Sequence, residues 1–200
     1  MPQIQKNIYQ IVISRRTVRQ FDSRRVPGDL LKKMINAARL APSAANLQPL
    51  EFIVISNQEI CQEIFPCLKW AAYIAPDGNP KPGYEPPAYI VTLVNTNVRE
   101  KGFEWDAGAA IENMILTAWA EGVASCWLLS VERKKVREVL KIPPNYIIDS
   151  VLALGYPAEE PAAEDAGDSI KYYKDEKGRL HVPKRPLEKV MHTDVFNDRR

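Results

Sequence analysis

The chain has 200 residues, 46 % apolar and 26 % charged, which suits one globular domain, or one domain with an arm, and is enough for a sizeable core. Its 27 basic and 25 acidic residues leave a formal net charge of +2, too small an excess to call for nucleic acid or an anionic membrane as a partner. The three cysteines, Cys61, Cys67 and Cys126, lack C-x-x-C spacing, which argues against a disulfide framework or zinc site and makes a reducing cytoplasm the expected compartment.

The opening MPQIQKNIYQ lacks an apolar signal core, and no apolar run approaches the roughly 18 residues of a membrane span. Ile4, Ile8, Ile11 and Val12 recur at helical spacing and predict a short first helix ending near Ser14. A basic run, Arg15-Arg16-Thr17-Val18-Arg19, follows it. Leu30, Leu31, Met34, Ile35, Ala37 and Ala38 form one apolar face behind Pro27, so a second helix is expected over 28–40, stopped by Pro42. Residues 41–49 have two prolines and several small residues and read as an ordered loop. Phe52-Ile53-Val54-Ile55 predicts a buried strand, and 58–72 is weakly helical.

Residues 74–87 carry five prolines and two glycines, a loop long enough to be functional. A second strand is expected over 89–94. The clearest helix covers 105–121, with Ala109, Ile111, Met114, Ile115, Ala118 and Trp119 along one side, Asp106 placed to cap its start and Gly122 to end it. Strands over 124–129 and 151–156 flank a basic amphipathic helix at 132–140. The elements thus interleave as one α/β unit. The last 44 residues are polar and punctuated by proline, with a hairpin expected in 172–182 around Lys177-Gly178. Such an arm has little core of its own and needs a surface to lie on, a partner subunit being the obvious one.

Several chemistries are missing from the pattern. There is no P-loop, no G-x-G-x-x-G turn, no G-x-S-x-G elbow and no H-E-x-x-H pair. The two histidines, His181 and His192, lie in the polar tail, which disfavours a hydrolase built on a histidine base. A cofactor would have to supply hard chemistry. Two segments could hold one. In extended backbone Arg15, Thr17 and Arg19 share a face, and guanidinium forks suit a phosphate. Taken alone, the run reads equally well as a solvated basic surface. Ser43, Asn46 and Gln48 offer donors and acceptors among small residues that leave room for a flat polar ring, although an isolated P-S-x-x-N reads as a helix stop and a turn.

Together the segments resemble a known family. Ser14-Arg15-Arg16-Thr17-Val18-Arg19-Gln20-Phe21, followed by Ala41-Pro42-Ser43-Ala44-Ala45-Asn46-Leu47-Gln48-Pro49-Leu50-Glu51-Phe52, is similar to the N-terminal signature of FMN-dependent nitroreductases, R-R-S-x-R-x-F and A-P-S-x-x-N-x-Q-P-W-x-F. Asp106 to Asn113 resembles the family's central helix, Gly122 to Leu128 its G-L-G-S-x-W-[IL] strand, and Leu154-Gly155-Tyr156-Pro157 its strand-ending G-Y-P. Pro183 to His192 resembles its basic tail, R-K-P-L-E-E-V-V-H. The likeness runs along almost the whole chain in the right order.

That resemblance implies an α+β, three-layer fold with a central mixed, mainly antiparallel sheet flanked by helices, in a homodimer whose C-terminal arms are exchanged. Residues 1–161 would form the FMN-binding domain, and 162–200 an extension and arm completing it or its partner. Arg15, Arg16 and Thr17 would hold the FMN phosphate and ribityl chain, with Lys184 or Arg185 closing that site. Arg19 would approach the N1/O2 edge of the ring. Pro42, Ser43, Asn46 and Gln48 would contact the ring or ribityl chain, and Trp127, Leu128 and Leu129 would lie along the ring. The implied activity is ping-pong transfer from NADH or NADPH to small electron-poor acceptors such as nitroaromatics or quinones. Dehalogenases, a flavin-fragmenting enzyme and ene-reductases share the scaffold, and a flavin carrier or redox sensor without turnover is a further alternative. Thr17 replaces the usual serine, Leu50 the common tryptophan, and Leu129 a frequent glycine. Ala162 to Val182 is an insertion that would act as lid, dimer contact or plain surface.

Overall fold

The computed structural model describes residues 7–196. The first helix, α1 (Ile8–Ser14), begins where the Asn7 side chain accepts the Tyr9 backbone N–H at 3.1 Å; Ile4, expected to belong to it, lies outside the described residues. Pro27 sets the entrance of α2 (Gly28–Arg39), whose buried stripe is Leu30, Leu31, Met34 and Ala38. β1 (Leu50–Ile55) leads into α3 (Gln58–Ile64), capped by the Asn57 side chain on the Ile60 N–H. Then come β2 (Ala88–Asn95), α4 (Glu104–Ala120), β3 (Ala124–Leu128), α5 (Arg133–Leu140) and β4 (Tyr146–Gly155).

The four strands form one sheet in the order β1-β2-β4-β3, and every neighbouring pair is antiparallel. Interleaved helices and strands therefore do not build parallel crossovers here, and the fold is α+β. The parallel element at this sheet is a single bridge, Thr17 to Ser125, on the outer edge of β3. Side chains alternate across the sheet. Tyr89, Val91 and Leu93 of β2 face the layer of α3 and α5, whereas Ala88 and Ile90 face that of α2 and α4. The result is three layers. At the end of β4, Gly155 lets Phe21 and Pro87 close in: a Cβ there would lie 2.9 Å from Phe21 Cδ1 and 2.8 Å from Pro87 Cδ.

The tail builds a small sheet of its own from β5 (Ala162–Asp165), β6 (Tyr173–Lys174) and β7 (Leu180–Lys184), ordered β5-β7-β6. The expected hairpin forms: Gly178 takes φ +78° in its turn, and Asp175 Oδ1 accepts the backbone N–H groups of Lys177 and Arg179 at 3.0 and 2.8 Å. This stretch finds its surface within its own chain. Lys174 Nζ donates to the Asp77 carbonyl at 2.6 Å, and the Tyr172 ring lies 4.9 Å from that of Tyr73. Beyond β7, by contrast, Leu187, Val190, Met191, Val195 and Phe196 are exposed.

His181 fastens the hairpin. Its Nδ1 is 2.8 Å from Glu164 Oε2, its Nε2 is 3.3 Å from Asp175 Oδ2, and its ring stacks on Tyr173. Hydrogen bonding to Glu164, and then to Asp175, raises the His181 pKa above its ordinary 6.5. The bond to His181 is also the main cause lowering Glu164, while backbone bonding from Arg179 leads in lowering Asp175. A raised imidazole contributes its full stabilisation below 6.5 and loses it as pH rises through the folded value; the lowered carboxylates lose theirs as pH falls through their folded values. Hydrogen exchange of the 173–182 amides, corrected for intrinsic rates, should therefore show protection weakening on the alkaline side. His181→Gln should remove that pH dependence.

Candidate active site

The basic run lies along the edge of the sheet. After α1 the chain turns extended, Thr17 pairs with Ser125 of β3, and the Val18 N–H donates to the Ser125 carbonyl at 3.0 Å. Val18 is thereby buried in the core, as is Phe21 beyond the alternating stretch, and Arg15, Thr17 and Arg19 keep the partly exposed positions that their period predicts. Arg15 Nε is 3.7 Å from Glu112 Oε1 of α4. Arg16 Nη1 donates to the carbonyls of Ile13 and Arg15, both at 2.7 Å. Burial, and then the neighbouring charge of Arg15, lower the Arg16 pKa from its ordinary value. The Arg19 backbone N–H donates to Glu159 Oε1 at 2.5 Å, but its side-chain Nε is buried and has no hydrogen-bond partner among the described residues. Two crowded cations and an orphaned buried donor form a site suited to an anion or an electron-rich edge.

The 41–49 loop is held in an unusual shape. Ala45, Asn46 and Gln48 all adopt positive φ, at 51°, 54° and 51°. Ser43 Oγ accepts the Gln48 N–H at 3.1 Å, and the Asn46 N–H donates to the Ser43 carbonyl at 2.9 Å. The Gln48 side chain donates to the Asn46 carbonyl at 3.2 Å. Pro42, Asn46 and Gln48 are exposed and Ser43 is half-buried. What secures the loop is Asp106, which is only 5 % exposed: its Oδ1 accepts the Ala44 N–H at 3.1 Å, and its Oδ2 lies 3.4 Å from Arg99 Nη1. Sequence reading expects Asp106 to cap α4. It sits inside the helix, and no side-chain cap bond is made at that end. The missed signal is the carboxylate itself, set in an otherwise apolar helix face.

One helix thus touches both segments expected to hold a cofactor. Glu112 meets Arg15 and Asp106 meets the loop, about 9 Å apart along α4. α1 is anchored on the same helix, where Trp119 Nε1 donates to Ser14 Oγ at 2.9 Å. Trp127 is partly exposed on β3 and Leu129 is exposed just beyond it, but the Leu128 side chain belongs to the core, so only its backbone is available to a ligand. Lys184 is the last residue of β7 and Arg185 follows it. The Lys184 carbonyl accepts the Ala166 N–H at 2.7 Å, and Arg185 Nη2 donates to the Lys189 carbonyl at 2.5 Å. A cavity of about 150 Å³ lies between the 41–49 loop and α4, with Ser43, Gln48 and Asp106 in its wall. Three larger ones, of about 550, 610 and 240 Å³, are lined by none of the expected site residues.

Residues 12–156 match the model of the nitroreductase family. This chain belongs to that family. Among its relatives is an Archaeoglobus fulgidus protein provisionally named NADH dehydrogenase/NAD(P)H nitroreductase, 31 % identical over 166 residues that span 80 % of this chain and 90 % of the relative. The fold is shared with an FMN-dependent nitroreductase from Clostridium difficile, with a TM-score of 0.68, 24 % identity, and 93 % and 98 % of the two chains covered. It is shared as well with a provisionally named nitroreductase from Desulfovibrio desulfuricans solved in complex with FMN, at TM-score 0.68, 20 % identity and coverage of 96 % and 99 %.

In this chain the segment just ahead of the tail insertion reaches back to the signature. Glu159 holds the Arg19 and Gln20 N–H groups, and Gln20 bridges Asn79 and Lys81 of the proline-rich loop, both bonds at 3.0 Å. Asp106 is the interior group on which the loop most depends. Asp106→Ala removes the acceptor of the Ala44 N–H and the carboxylate partner of Arg99, and should cost about 1.5–3 kcal/mol, the range of a hydrogen bond to a charged group. Denaturant unfolding of the variant checks this.

Proposed function

We propose that this chain is an FMN-dependent oxidoreductase that takes reducing equivalents from NADH or NADPH and passes them to small electron-poor acceptors, such as nitroaromatics or quinones. Donor and acceptor use one slot in turn, in a ping-pong cycle. The observation that carries the reading is the signature segment seated on β3, with Arg15 and Arg16 crowded together and Arg19 Nε buried without a partner. The naming of the Archaeoglobus fulgidus relative supports the nicotinamide donor.

In this reading Arg15, Arg16 and Thr17 hold the phosphate and ribityl chain, and Lys184 or Arg185 completes that grip. Arg19 presents positive charge to the N1/O2 edge. Pro42, Ser43, Asn46 and Gln48 contact the ring or ribityl chain. Trp127 and Leu129, with the backbone of Leu128, line the ring. Bound FMN supplies a centre that accepts and donates hydride. The protein's own residues position the reactants and exclude water. For a nitro acceptor the overall balance is one hydride from NAD(P)H and one proton from solvent, giving a nitroso group and water.

A homodimer with two such sites at its interface fits the surface. Ile8 and Tyr9 of α1, Trp105 of α4 and Leu187 and Phe196 of the tail are exposed apolar side chains that a second copy would cover. The segment after β7 is then the arm laid on the partner. The three cysteines, all free and buried, agree with a reducing cytoplasm.

Two outcomes test the reading. Arg15→Ala should weaken FMN binding to the apoprotein by roughly 1.5–3 kcal/mol, as for one charged hydrogen bond; unchanged affinity would return Arg15 to the surface. Anaerobic addition of NADH or NADPH should bleach the flavin absorbance of the loaded protein. Bleaching by dithionite but by neither nicotinamide would leave a flavin-binding protein without this activity.

A further inference from the structure

Arg19 is gripped on several sides, and one of them belongs to the tail insertion. Glu159 fixes its backbone N–H, and the positive charge of Arg19 works against the burial that pushes the Cys126 thiol of β3 up to about 11. The Tyr172 ring stands with its centroid 5.4 Å from Arg19 Cζ, within cation–π range. Tyr172 is itself tied down. Its hydroxyl accepts the Tyr73 N–H at 3.3 Å, its ring packs against Tyr73, and the neighbouring Lys174 ties to Asp77.

We propose that Tyr172 is a positioning residue for Arg19, and that the 162–182 insertion is thereby a fixed wall of the flavin site. The inference rests on the reading of Arg19 given under Proposed function. A free arginine side chain samples many rotamers, and an averaged cation stabilises charge poorly. A guanidinium held on an aromatic face keeps one orientation. Negative charge gathers around N1 and O2 when a flavin is reduced, so a fixed cation there favours reduced over oxidised FMN. The role of Tyr172 therefore lies in the ratio of the two affinities.

The test uses full-length apoprotein titrated with oxidised FMN and, anaerobically, with reduced FMN. The variants are Tyr172→Leu, Tyr172→Phe and Arg19→Gln. Tyr172→Leu should lower the reduced-to-oxidised affinity ratio on the order of three- to tenfold, the span of one cation–π contact; tenfold is ~30 mV for a two-electron couple. Tyr172→Phe keeps the ring and should keep the wild-type ratio, although it loses the bond to Tyr73. Arg19→Gln should lower the ratio at least as far as Tyr172→Leu. General loosening weakens both affinities alike and leaves their ratio in place.

If Arg19→Gln lowers the ratio and Tyr172→Leu does not, the positioning role is overturned and the flavin reading survives. If Tyr172→Phe falls as far as Tyr172→Leu, the hydroxyl rather than the ring is responsible and the stacking argument is overturned. If Arg19→Gln leaves the ratio unchanged, or the apoprotein binds no FMN, both the inference and the reading beneath it fall.

Discussion

The backbone pairing between residues 17–18 and Ser125 is the constraint on which most of this structure depends. β3 is an edge strand, and its outer side would otherwise present unpaired N–H and C=O groups. Laying an extended segment there covers part of the edge and sets the period of every side chain in the run. Val18 goes to the core while Thr17 and Arg19 stay partly exposed, and Phe21 departs from that alternation where the chain makes a second bridge, to Pro157. The glycine at 155 is the counterpart of this arrangement, since Phe21 sits where a side chain would be. The basic cluster is thus positioned by the hydrophobic core beneath it, and a one-residue slip at the bridge would turn Val18 outward and Thr17 and Arg19 inward.

The second constraint is α4. Helix α4 is apolar enough to be the middle of one core layer, yet Asp106 and Glu112 break its surface where the two site segments meet it. A buried carboxylate is costly unless its oxygens are satisfied. Asp106 meets that demand with the Ala44 N–H and Arg99, and the same bond steadies a loop in which three residues stand at positive φ. The one hydrogen bond offsets part of both the strain in the loop and the desolvation of the carboxylate. Loop shape and helix position are consequently coupled, although they are far apart in sequence.

Much of the fold is legible in the residues. The apolar runs 52–55, 89–94 and 124–129 become β1, β2 and β3 within a residue or two, and the helix faces around Met34 and Met114 are buried as their spacing predicts. β4 begins earlier than Val151, at Tyr146: Asp149 and Ser150 break the apolar run, but pairing with β2 resumes at Ile148 past a bulge at Asp149. Strand order was beyond local pattern: alternating helices and strands read as α/β, but antiparallel pairing is set by packing between distant segments. The basic run and the 41–49 loop are visible by residue type, whereas the part played by Asp106 was not. Its Ala44 partner is 62 positions away, and nothing local marks the pair.

The tail shows how an element with little core can still be placed. Of the residues in its three short strands, Leu180 and Pro183 are buried, so apolar burial alone supplies little of what ordering the segment costs. The balance comes from polar ties with defined geometry: His181 between two carboxylates, Lys174 on the Asp77 carbonyl, and Tyr172 between Tyr73 and Arg19. Each tie is exposed enough to be modest in strength. A segment held this way belongs to the low-stability end of a protein, where local opening is cheap. Its order therefore depends on the surfaces it touches, and one of those surfaces is the arginine that faces the proposed flavin. Whatever occupies that site and fixes Arg19 also steadies the wall, and loosening the wall frees Arg19. The coupling runs in both directions because both rest on the same contact.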